Sequence, residues 1–415
     1  MSDLRAGFDP ATVKEDFTLL RNPHHDHPLV YLDSAASSQR PDSVLAAMDD
    51  YYCRSHANVH RGVYRLAEEA TSLYEGARQK IGDFIGAPDP GREIIFTKNV
   101  TEALNLVAQS WGRANLRPGD AIVLTEIEHH ANLVPWLMLA SEIGFEIRYL
   151  RLGEDGELDL SRLEETVEGA KLVGVTMCSN VLGTLVPVSQ IAQAAHAAGA
   201  VVVADGAQYV PHLPTDVSSL GADLMAFTGH KMLGPTGIGV LWGKAEILDA
   251  MPPFLGGGEM IKDVRLDGFI PNDLPWKFEA GTPPIAEAIG LGAAVDYLSG
   301  LGMAAIREHE ITLLSYAMKK LEADHGDALV IHGPSRPERR GGVLSMQLDG
   351  VHAHDLSQVL DSRGVCVRAG HHCAKPLMRC LGLAATARAS FYIYNDESDI
   401  DALSDALGEA RSFFA

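Results

Sequence analysis

Two residues that follow apolar segments have the types needed to hold an aldehyde cofactor. Lys231 comes shortly after the segment LMAFT at 224–228 and precedes the turn-rich sequence GPTGIG. A lysine whose pKa is lowered by burial can form a Schiff base with a carbonyl group. Asp205 ends the apolar run AVVVA at 200–204, and a carboxylate buried there requires a cationic or hydrogen-bonded partner.

These two residues match the pair that pyridoxal phosphate enzymes use. In such enzymes a lysine holds the cofactor aldehyde, while an aspartate keeps the ring nitrogen protonated so that the ring accepts electrons. Taken singly, Lys231 is typical of a surface residue and Asp205 of a helix cap. Taken together, they favour a pyridoxal phosphate site.

The phosphate of such a cofactor requires its own site, and the segment NVTEALNLVAQSW at 99–111 offers one. Thr101 lies near the start of a predicted amphipathic helix. The apolar face of this helix consists of Leu104, Val107, Ala108 and Trp111. Free amides and the positive dipole end of a helix bind phosphate, although Thr101 is also typical of an ordinary N-cap. The sequence GHKMLGPTG lacks the order of a Walker loop, which argues against nucleotide hydrolysis.

Cys373 is a candidate nucleophile because of its neighbours in RAGHHCAKPL. A basic setting favours the thiolate form of a cysteine. The basic neighbours are Arg368, His371, His372 and Lys375. The alternative is a buried structural cysteine, which we expect for Cys53, Cys178 and Cys366. The sequence leaves Cys380 open between the two.

Histidines near the same segment raise the alternative of a metal site. His129 and His130 follow a predicted strand, where an imidazole either stacks on an aromatic ring or binds zinc together with His371, His372 and Cys373. None of the HExxH or CxxC spacings typical of zinc sites occurs, so we predict no intrinsic metal site. We expect the histidines of the polar N-terminal segment to be solvated, namely His24, His25 and His27.

Alternating β-rich and helix-like segments between residues 90 and 245 predict an α/β domain with a seven-stranded, mostly parallel sheet. The predicted strands are 93–96, 121–125, 145–150, 171–177, 200–204, 224–228 and 239–242. Ligands of open α/β sheets lie at the carboxyl ends of the strands. Several of these strands end in polar residues, so their ends are expected to form one site.

Two further regions complete the predicted organisation. Residues 251–276 are rich in Gly and Pro and predict a long loop that lines or covers the site. A helix near 283–299 leads to a smaller α+β domain with a strand in GGVLSMQL, a helix at 353–363 and a strand at 365–368. We predict an N-terminal arm at 1–30 that packs on the small domain. The large domain is predicted at 31–295 and the small domain at 296–415.

Composition excludes several classes of partner and location. The chain has 415 residues, with 34 Lys and Arg against 55 Asp and Glu, a formal net charge of -21. Such a charge repels phosphate backbones, so nucleic acid is not expected as a partner. No apolar run approaches the length of a membrane span, and the first residues lack the pattern of a signal peptide. The five cysteines form no disulfide framework, and we expect a cytoplasmic protein.

Six motifs, read in order, carry a resemblance to a known family. They are EHHANLVPW, SNVLGT, DGAQ, TGHKMLGPTGIG, FEAGTPP and RAGHHCAKPL. The chain resembles the SufS-type (type II) cysteine desulfurases of the class V aminotransferase family from residue 31 to its C-terminus. The resemblance implies the pyridoxal phosphate-dependent transferase fold of fold type I, with a large cofactor-binding domain and a smaller α+β domain.

The resemblance also implies a set of cofactor residues. Lys231 would hold the aldehyde of pyridoxal 5'-phosphate, Asp205 would pair with the ring nitrogen, and His129 would stack on the ring. Gln208 would contact the ring hydroxyl, and Asn180 would face the cofactor. The phosphate would bind Thr101, Thr228, His230 and, from a second subunit of a homodimer, Thr282. Val100 occupies a position where relatives often carry a hydroxyl residue, so that only its backbone amide is available to the phosphate.

The implied activity is conversion of L-cysteine to L-alanine with a persulfide on Cys373, which would supply sulfur for iron–sulfur cluster assembly. Arg388 would pair with the substrate carboxylate, with Arg368 and Asn180 nearby, because the arginine fork suits a carboxylate. Selenocysteine cleavage and another class V aminotransferase activity are the alternatives. A non-enzymatic sulfur or metal scaffold is a third.

The resemblance bears on the sulfur acceptor as well. His354, in GVHAHDL, stands where desulfurases served by a zinc-bound, SufU-like acceptor carry a histidine. There the imidazole would take a zinc coordination position and free a cysteine of the acceptor to receive sulfur. His354 alternatively just begins the helix at 353–363 or is exposed to solvent. A SufE-like protein without zinc is the alternative acceptor.

Overall fold

The computed structural model describes residues 9–414. Its strands are β1 Val30–Tyr31, β2 Ile94–Thr97, β3 Ala121–Thr125, β4 Glu146–Leu150, β5 Ala170–Thr176, β6 Val201–Asp205, β7 Leu224–Thr228, β8 Gly239–Gly243, β9 Ile261–Arg265, β10 Gly268–Pro271, β11 Leu329–His332, β12 Val343–Leu348, β13 Val365–Cys366, β14 Arg368–Gly370 and β15 Thr386–Ser390. Its α-helices are α1 Pro10–Lys14, α2 Asp42–Asp50, α3 Arg65–Phe84, α4 Pro90–Glu93, α5 Val100–Val107, α6 Arg113–Asn115, α7 Val134–Ile143, α8 Leu163–Val167, α9 Val188–Ala197, α10 Val217–Leu220, α11 Ala245–Ala250, α12 Ile285–Leu301, α13 Met303–His325, α14 Ala353–Asp361, α15 Lys375–Cys380 and α16 Glu397–Phe414.

The central sheet has seven strands in the order β2-β8-β7-β6-β5-β3-β4. Strand β8 runs antiparallel to both of its neighbours, and the other pairings are parallel. Because helices cover both faces, nearly every residue of the central strands is buried, as continuous apolar runs predict. The predicted α/β fold with a seven-stranded, mostly parallel sheet is confirmed.

Side chains alternate between the two faces of the sheet, and each face has its own apolar core. Val123 and Val202 pack with α3, α9 and α12 on one face. Ile122 and Val203 pack with α5 and α7 on the other. The sheet therefore holds the strand ends rigidly from both sides, which a site built on those ends requires.

A second, antiparallel sheet lies in the C-terminal part, with the strand order β11-β12-β15-β14. Helices α13, α14 and α16 pack on it around a separate apolar cluster. The predicted helix at 353–363 ends at Asp361, and the predicted strand at 365–368 is two short strands, β13 and β14. The predicted boundary between residues 295 and 296 lies within α12, and the division into domains stays a prediction.

The first described residues contact the C-terminal part of the chain. Strand β1 pairs with β13, Lys14 forms an ion pair with Asp399, and the ring of Phe17 packs edge-on against Tyr394. Residues 1–8 of the predicted arm lie outside the described range.

The predicted long loop at 251–276 is wrong in part, because it contains a β-hairpin. Strands β9 and β10 pair antiparallel around a two-residue turn, Leu266-Asp267. Because both strands are exposed along most of their length, no buried face imposes an apolar alternation that the sequence would show. The hairpin is largely exposed, and Pro271 at its end leaves the ladder without a donor, as is usual at a sheet edge.

Among residues 9–414 no single helix has the length and apolar character to cross a membrane. Helix α12 and residues 303–328 have that length and apolar character only when taken together, and the chain bends sharply between them. Helix α12 is mostly buried against α2 and α3.

Candidate active site

A cavity of about 540 Å³ lies at the carboxyl ends of the parallel strands. It brings together all of the sequence-predicted site residues except Thr282. These are Val100, Thr101, His129, Asn180, Asp205, Gln208, Thr228, His230, Lys231, His354, Arg368, Cys373 and Arg388. No residue of 251–276 belongs to the wall of this cavity, so the expectation that the segment lines the site is wrong for the cavity of its own chain. That the segment covers a site stays a prediction. The hairpin takes that segment to the surface instead.

Sheet register explains why Asp205 and Lys231 meet. Asp205 is the last residue of β6 and pairs with Ala226 of the neighbouring β7. Lys231 ends the 3-10 turn that follows β7 and therefore rises beside the end of β6. Burial lowers the pKa of Lys231 to about 8, although Asp205 acts in the opposite direction. A substantial fraction of the amine is therefore neutral near physiological pH.

The carboxylate of Asp205 is buried with little compensation from the rest of the described chain. Its one hydrogen bond there comes from the amide of Ala207, at 3.0 Å. Burial raises its pKa above the ordinary range. A buried carboxylate with one neutral donor is suited to an added cation, and a protonated ring nitrogen is one.

The imidazole of His129 is fixed in one tautomer. Its Nδ1 accepts the amide proton of Ala131 at 3.0 Å, so the ring proton lies on Nε2. Burial lowers the pKa of His129 to about 3, and the charge of Lys231 adds to this. His129 is therefore a neutral ring above the cavity with an available Nε2–H.

The N-terminus of α5 forms one end of the cavity. Its N-cap is Asn99, whose Oδ1 accepts from the amide of Glu102, so the interpretation of Thr101 as the N-cap is wrong. Capping leaves the amides of Val100 and Thr101 for a ligand, because the first amides of a helix have no partner within it. The backbone of β8 approaches this end closely: a Cβ on Gly239 would lie 2.5 Å from the Asn99 Cα.

The remaining predicted cofactor residues have these contacts. Gln208 is buried and donates its amide to the carbonyl of Ala35 at 2.6 Å. Thr228 donates its hydroxyl to the carbonyl of Ile238 at 3.3 Å. Burial and Lys231 lower the pKa of His230 to about 4, so its ring is neutral.

Thr282 stands apart from the other predicted residues. It lines a separate pocket beside Tyr74, Phe96 and Leu255 instead of the cavity of its own chain.

Two arginines supply positive charge at the cavity. Arg388 is buried and donates Nη1–H to the carbonyl of Asn180 at 2.9 Å, while its Nε has no hydrogen-bond partner among residues 9–414. Arg368 is half-exposed and binds Asp33 through Nε and Nη2. Asp33 also accepts from Arg388 Nη2 at 3.3 Å, so a single carboxylate joins both guanidinium groups.

Sequence reasoning missed two acidic residues near the cavity. Asp33 lies two residues after the end of β1 in YLDSAAS, where a polar residue shortly after a strand was the available signal. Glu128 precedes His129, is buried, and accepts from the Thr125 hydroxyl and the Thr176 amide. Burial raises the pKa of Glu128 to about 8. By accepting from Thr125 and Thr176, its carboxyl joins the ends of β3 and β5.

Cys373 is exposed at the cavity and lies in a tight turn. The amide of Ala374 donates to the carbonyl of His371 across this turn, and both central residues are left-handed, with φ of 50° at His372 and 55° at Cys373. Such conformations are costly for residues other than glycine and are common at functional sites. Asn180 Nδ2 donates to the carbonyl of His372 at 2.6 Å and so contacts the turn directly.

The other cysteines divide differently from the prediction. Cys178 is buried, and burial raises the pKa of its thiol to about 12. Cys366 is half-buried, and burial raises its pKa to about 11. Cys53 is exposed, so its expected burial is wrong; it lies on the outer side of the turn that continues α2. Cys380 is also exposed.

The described histidines near Cys373 do not form a compact ligand set. Among residues 9–414, the single group of three possible ligands within 4.8 Å of one another is His24, His25 and Asp361. His24 and His25 are partly exposed, as expected, and their imidazoles also hydrogen bond to Asp361 at 2.7 and 3.0 Å. Asp361, at the far end of α14, was too distant in the sequence for this contact to be predicted.

Comparison with known proteins agrees with this geometry. The family model "Aminotransferase class-V" matches residues 30–403. The chain is 51% identical to a probable cysteine desulfurase of Streptomyces coelicolor over all of both chains, and 48% identical to a cysteine desulfurase of Haloferax volcanii over 98% of each. Among solved structures it is similar to a cysteine desulfurase of Thermococcus onnurineus, with a TM-score of 0.92, 40% identity and coverage of 100% and 99% of the two chains. A cysteine desulfurase from Escherichia coli gives a TM-score of 0.89 with 38% identity, covering 98% and 100%.

Proposed function

Since this chain belongs to the class V aminotransferase family and is a pyridoxal phosphate-dependent cysteine desulfurase, we propose that Cys373 receives the sulfur of L-cysteine as a persulfide and passes it on for iron–sulfur cluster assembly. The observation that carries the proposal is the position of Cys373 on the same cavity as Lys231, Asp205 and His129. An exposed thiol on that cavity can meet a bound substrate and, from the other side, an acceptor protein.

The residues of the cavity fit pyridoxal phosphate. The buried Asp205 carboxylate suits the ring nitrogen, the neutral His129 ring suits stacking, and the amides at the start of α5 suit the phosphate. When bound, the cofactor supplies an aldehyde for Lys231 and a ring that takes up the electron pair released at the substrate Cα.

The arginines are suited to bind the carboxylate of cysteine. Arg388 is buried and has an Nε–H with no partner among the described residues, so a substrate carboxylate satisfies a donor that is otherwise left unpaired. Asp33 holds Arg368 and Arg388 together and thereby orients both groups. Asn180, whose carbonyl binds Arg388 and whose amide binds the turn of Cys373, joins the carboxylate site to the sulfur acceptor.

Lys231 and His129 are suited to move protons. With a pKa of about 8, the Lys231 amine exchanges between its two protonation states near neutral pH and can take the proton from the substrate Cα. His129 carries its proton on Nε2 and is a neutral donor.

Sulfur transfer is assigned to the Cys373 thiolate. Its Sγ attacks the sulfur of the substrate, an S–S bond forms as the substrate Cβ–S bond breaks, and the electron pair of the broken bond stays with carbon. Protonation of that carbon gives alanine. The thiols of Cys178 and Cys366, whose pKa values burial raises, are poorly suited to this role.

The decisive experiment is to incubate the purified holoenzyme with L-cysteine and measure alanine and protein-bound sulfur together. We expect equal amounts of both in a single turnover, with the added mass of one sulfur atom on the peptide that contains Cys373. Alanine without bound sulfur on Cys373 would refute the proposed acceptor residue. Formation of a keto acid instead of alanine would favour an aminotransferase, and turnover of selenocysteine alone would favour a selenocysteine lyase.

We further propose a SufU-type, zinc-bound sulfur acceptor. His354 is exposed in the first turn of α14 and lines the same cavity as Cys373, which gives an approaching metal centre access to both. Imidazole is a preferred zinc ligand. A SufE-type acceptor is the second candidate.

A homodimer is the proposed assembly. Large apolar side chains are exposed on the segment 63–73, among them Val63, Tyr64 and Leu73, and on the segment 255–270, among them Leu255 and Phe269. Ion pairs from His60 and Arg61 to Glu259 bring these segments close to each other, and we infer that their exposed side chains form one patch. Contiguous exposed apolar surface of this kind is typical of an interface.

We also propose a cytoplasmic location. All five cysteines are free, and three of them are exposed. Exposed thiols that must stay reduced for function are favoured in a reducing compartment.

A further inference from the structure

We propose that His130 is a positioning residue for the sulfur-accepting thiol: its imidazole caps the helix that follows Cys373 and thereby holds the Cys373 turn in its left-handed geometry. The functional part of this inference rests on the proposed role of Cys373. The structural part, that the His130 ring restrains the turn, is testable separately.

Both the main chain and the side chain of His130 reach the turn. Its amide donates to the carbonyl of Cys373 at 2.8 Å. Its Nε2 accepts from the amide of Lys375 at 3.1 Å. His130 follows β3 at the start of a 3-10 turn, so these two bonds connect the central sheet to the segment that carries the thiol.

Helix α15, which starts at Lys375, depends on this contact for its first amide. Its N-cap is Ala374, which has no side-chain acceptor. A helix normally satisfies its first amides with a Ser, Thr, Asp or Asn at the N-cap. In this chain the acceptor is an imidazole from a residue 245 positions earlier.

The turn itself needs support from outside. Two successive residues, His372 and Cys373, have positive φ without being glycine. A two-residue turn of this kind ordinarily carries Asn-Gly or a similar pair. The bonds from His130, and that from Asn180 to the carbonyl of His372, oppose relaxation of this backbone. The amide of Cys373 also donates to His371 Nδ1 at 3.2 Å, and the ring of His372 hydrogen bonds to the Thr386 hydroxyl at 2.9 Å.

The protonation state of His130 suits an acceptor. Burial lowers its pKa, and the neighbouring His371 and Lys375 lower it further. The neutral ring, with its proton on Nδ1, has a lone pair on Nε2 for the Lys375 amide. Because that lone pair is occupied, Nε2 of His130 does not serve as a metal ligand or general base in this geometry.

Three substitutions of His130 separate the effect of side-chain length from the effect of having a hydrogen-bond acceptor. In His130→Gln the terminal amide oxygen reaches about as far as Nε2 and can accept from Lys375. In His130→Asn the same chemical group falls short of that position. His130→Ala removes the acceptor altogether. All three variants retain the main-chain bond from residue 130 to Cys373.

The first measurement is hydrogen–deuterium exchange of the peptide that spans 371–377 in the holoenzyme. Pro376 has no amide, so the Lys375 amide makes a large contribution to the signal. We expect exchange on the order of tenfold faster in His130→Ala and His130→Asn, the effect of losing one hydrogen bond, and close to wild type in His130→Gln. Wild-type exchange in both His130→Ala and His130→Asn would overturn the inference.

The second measurement is single-turnover persulfide formation on Cys373. We expect a loss of about 10- to 100-fold in His130→Ala and His130→Asn, because misplacement of a reacting group by about 1 Å costs that much. The cysteine concentration at half-saturation should change less than about twofold, because His130 lies outside the proposed carboxylate site. An equal loss in His130→Gln would contradict the capping role.

The outcomes separate this inference from the proposed function. If wild-type protein accumulated no sulfur on Cys373, the proposed function would fail, and the exchange experiment would still decide whether His130 restrains the turn. If His130→Ala does not fold, the Asn and Gln variants, which differ by one methylene group, decide both measurements.

Discussion

At the residue scale, burial sets the chemistry of the cavity by favouring neutral forms. The pKa of Lys231 falls to about 8, that of His129 to about 3, and that of Asp205 rises. The same desolvation therefore lets the lysine act as a base and keeps the histidine ring neutral. It also leaves a buried carboxyl that becomes fully ionised when a cation is added beside it.

The role of Lys231 predicts a large and specific loss of activity. We expect Lys231→Ala to lower alanine production by on the order of a thousandfold or more, because one residue supplies both the covalent attachment and the proton transfer. The circular dichroism spectrum should be unchanged, since the side chain forms no hydrogen bond with residues 9–414. Near-normal alanine production would refute the assignment.

Cys373 is tested against another exposed thiol of the same chain. Cys373→Ser should bind cysteine and change the visible spectrum of the holoenzyme as wild type does, yet accumulate no protein-bound sulfur in mass spectrometry, because a hydroxyl is a poor sulfur acceptor near neutral pH. Cys380→Ser is the matched control, since Cys380 is exposed but outside the cavity wall. Sulfur that disappears with Cys380 instead would transfer the role to that residue.

At the element scale, the strands were predictable and the contacts between distant segments were not. Six of the seven strands of the central sheet follow from apolar runs, since burial on both faces leaves little choice of residue. The edge strand β4 is mostly not buried and was predicted from its β-rich composition. The hairpin of β9 and β10 is exposed, so no core constrains its composition. Helix boundaries that depend on a single cap, such as Asn99 in place of Thr101, also require the structure.

The candidate site was predictable to the extent that its residues lie at strand ends or in the family motifs. Asp33 was missed because its function depends on two arginines that are more than 300 positions away. His130 was considered only as a stacking ring or a metal ligand, because the amide that it caps lies 245 positions later. Such pairings depend on tertiary structure and have no local sequence signal.

The segment before Thr282 is anchored by a buried ion pair, which yields a stability prediction. Glu279 accepts from Arg78 at 2.7 Å and from the Phe96 amide at 2.7 Å, and both charged side chains are buried. Glu279→Gln should lower the free energy of unfolding by about 3 kcal/mol, because the buried Arg78 charge would keep only the more exposed Glu75 as a counterion.

Urea unfolding of the holoenzyme measures this effect against an exposed ion pair. Lys80 and Asp296 lie half-exposed on neighbouring helices. Asp296→Asn should change the unfolding free energy by less than about 1 kcal/mol. Equal changes in the unfolding free energy of Glu279→Gln and Asp296→Asn would show that the buried ion pair stabilises the protein no more than the exposed one.

At the scale of the whole molecule, the cavity opens where two other proteins are proposed to meet it. Cys373 and His354 lie on the exposed side of the cavity. Thr282 lines the same pocket as Leu255, which belongs to the apolar patch formed by the segments 63–73 and 255–270. The acceptor and the second subunit would therefore contact different sets of residues.

The acceptor proposal predicts a selective defect. His354→Ala should keep basal alanine production within about twofold of wild type while losing most of the stimulation by a zinc-bound, SufU-type acceptor, because the imidazole would no longer replace a zinc ligand. The neighbouring substitution His352→Ala is the control for general disturbance of the helix start, since the two rings are only 5.4 Å apart. Unchanged stimulation of His354→Ala would favour a SufE-type acceptor.

The dimer proposal predicts complementation between two impaired variants. Lys231→Ala lacks the lysine of its own cavity, and Thr282→Val lacks the hydroxyl proposed to reach the cavity of the second subunit. In a mixed dimer, one cavity would combine Lys231 of the Thr282→Val subunit with the intact Thr282 of the other subunit.

Equal amounts of the two variants, allowed to exchange subunits, would form mixed dimers in half of the population, each with one complete cavity out of two. We therefore expect alanine production to rise to about a quarter of the wild-type rate, which neither variant reaches alone. Sedimentation velocity checks that the samples are dimers. Activity that stays at the average of the two separate variants would show that Thr282 serves no cavity across the interface.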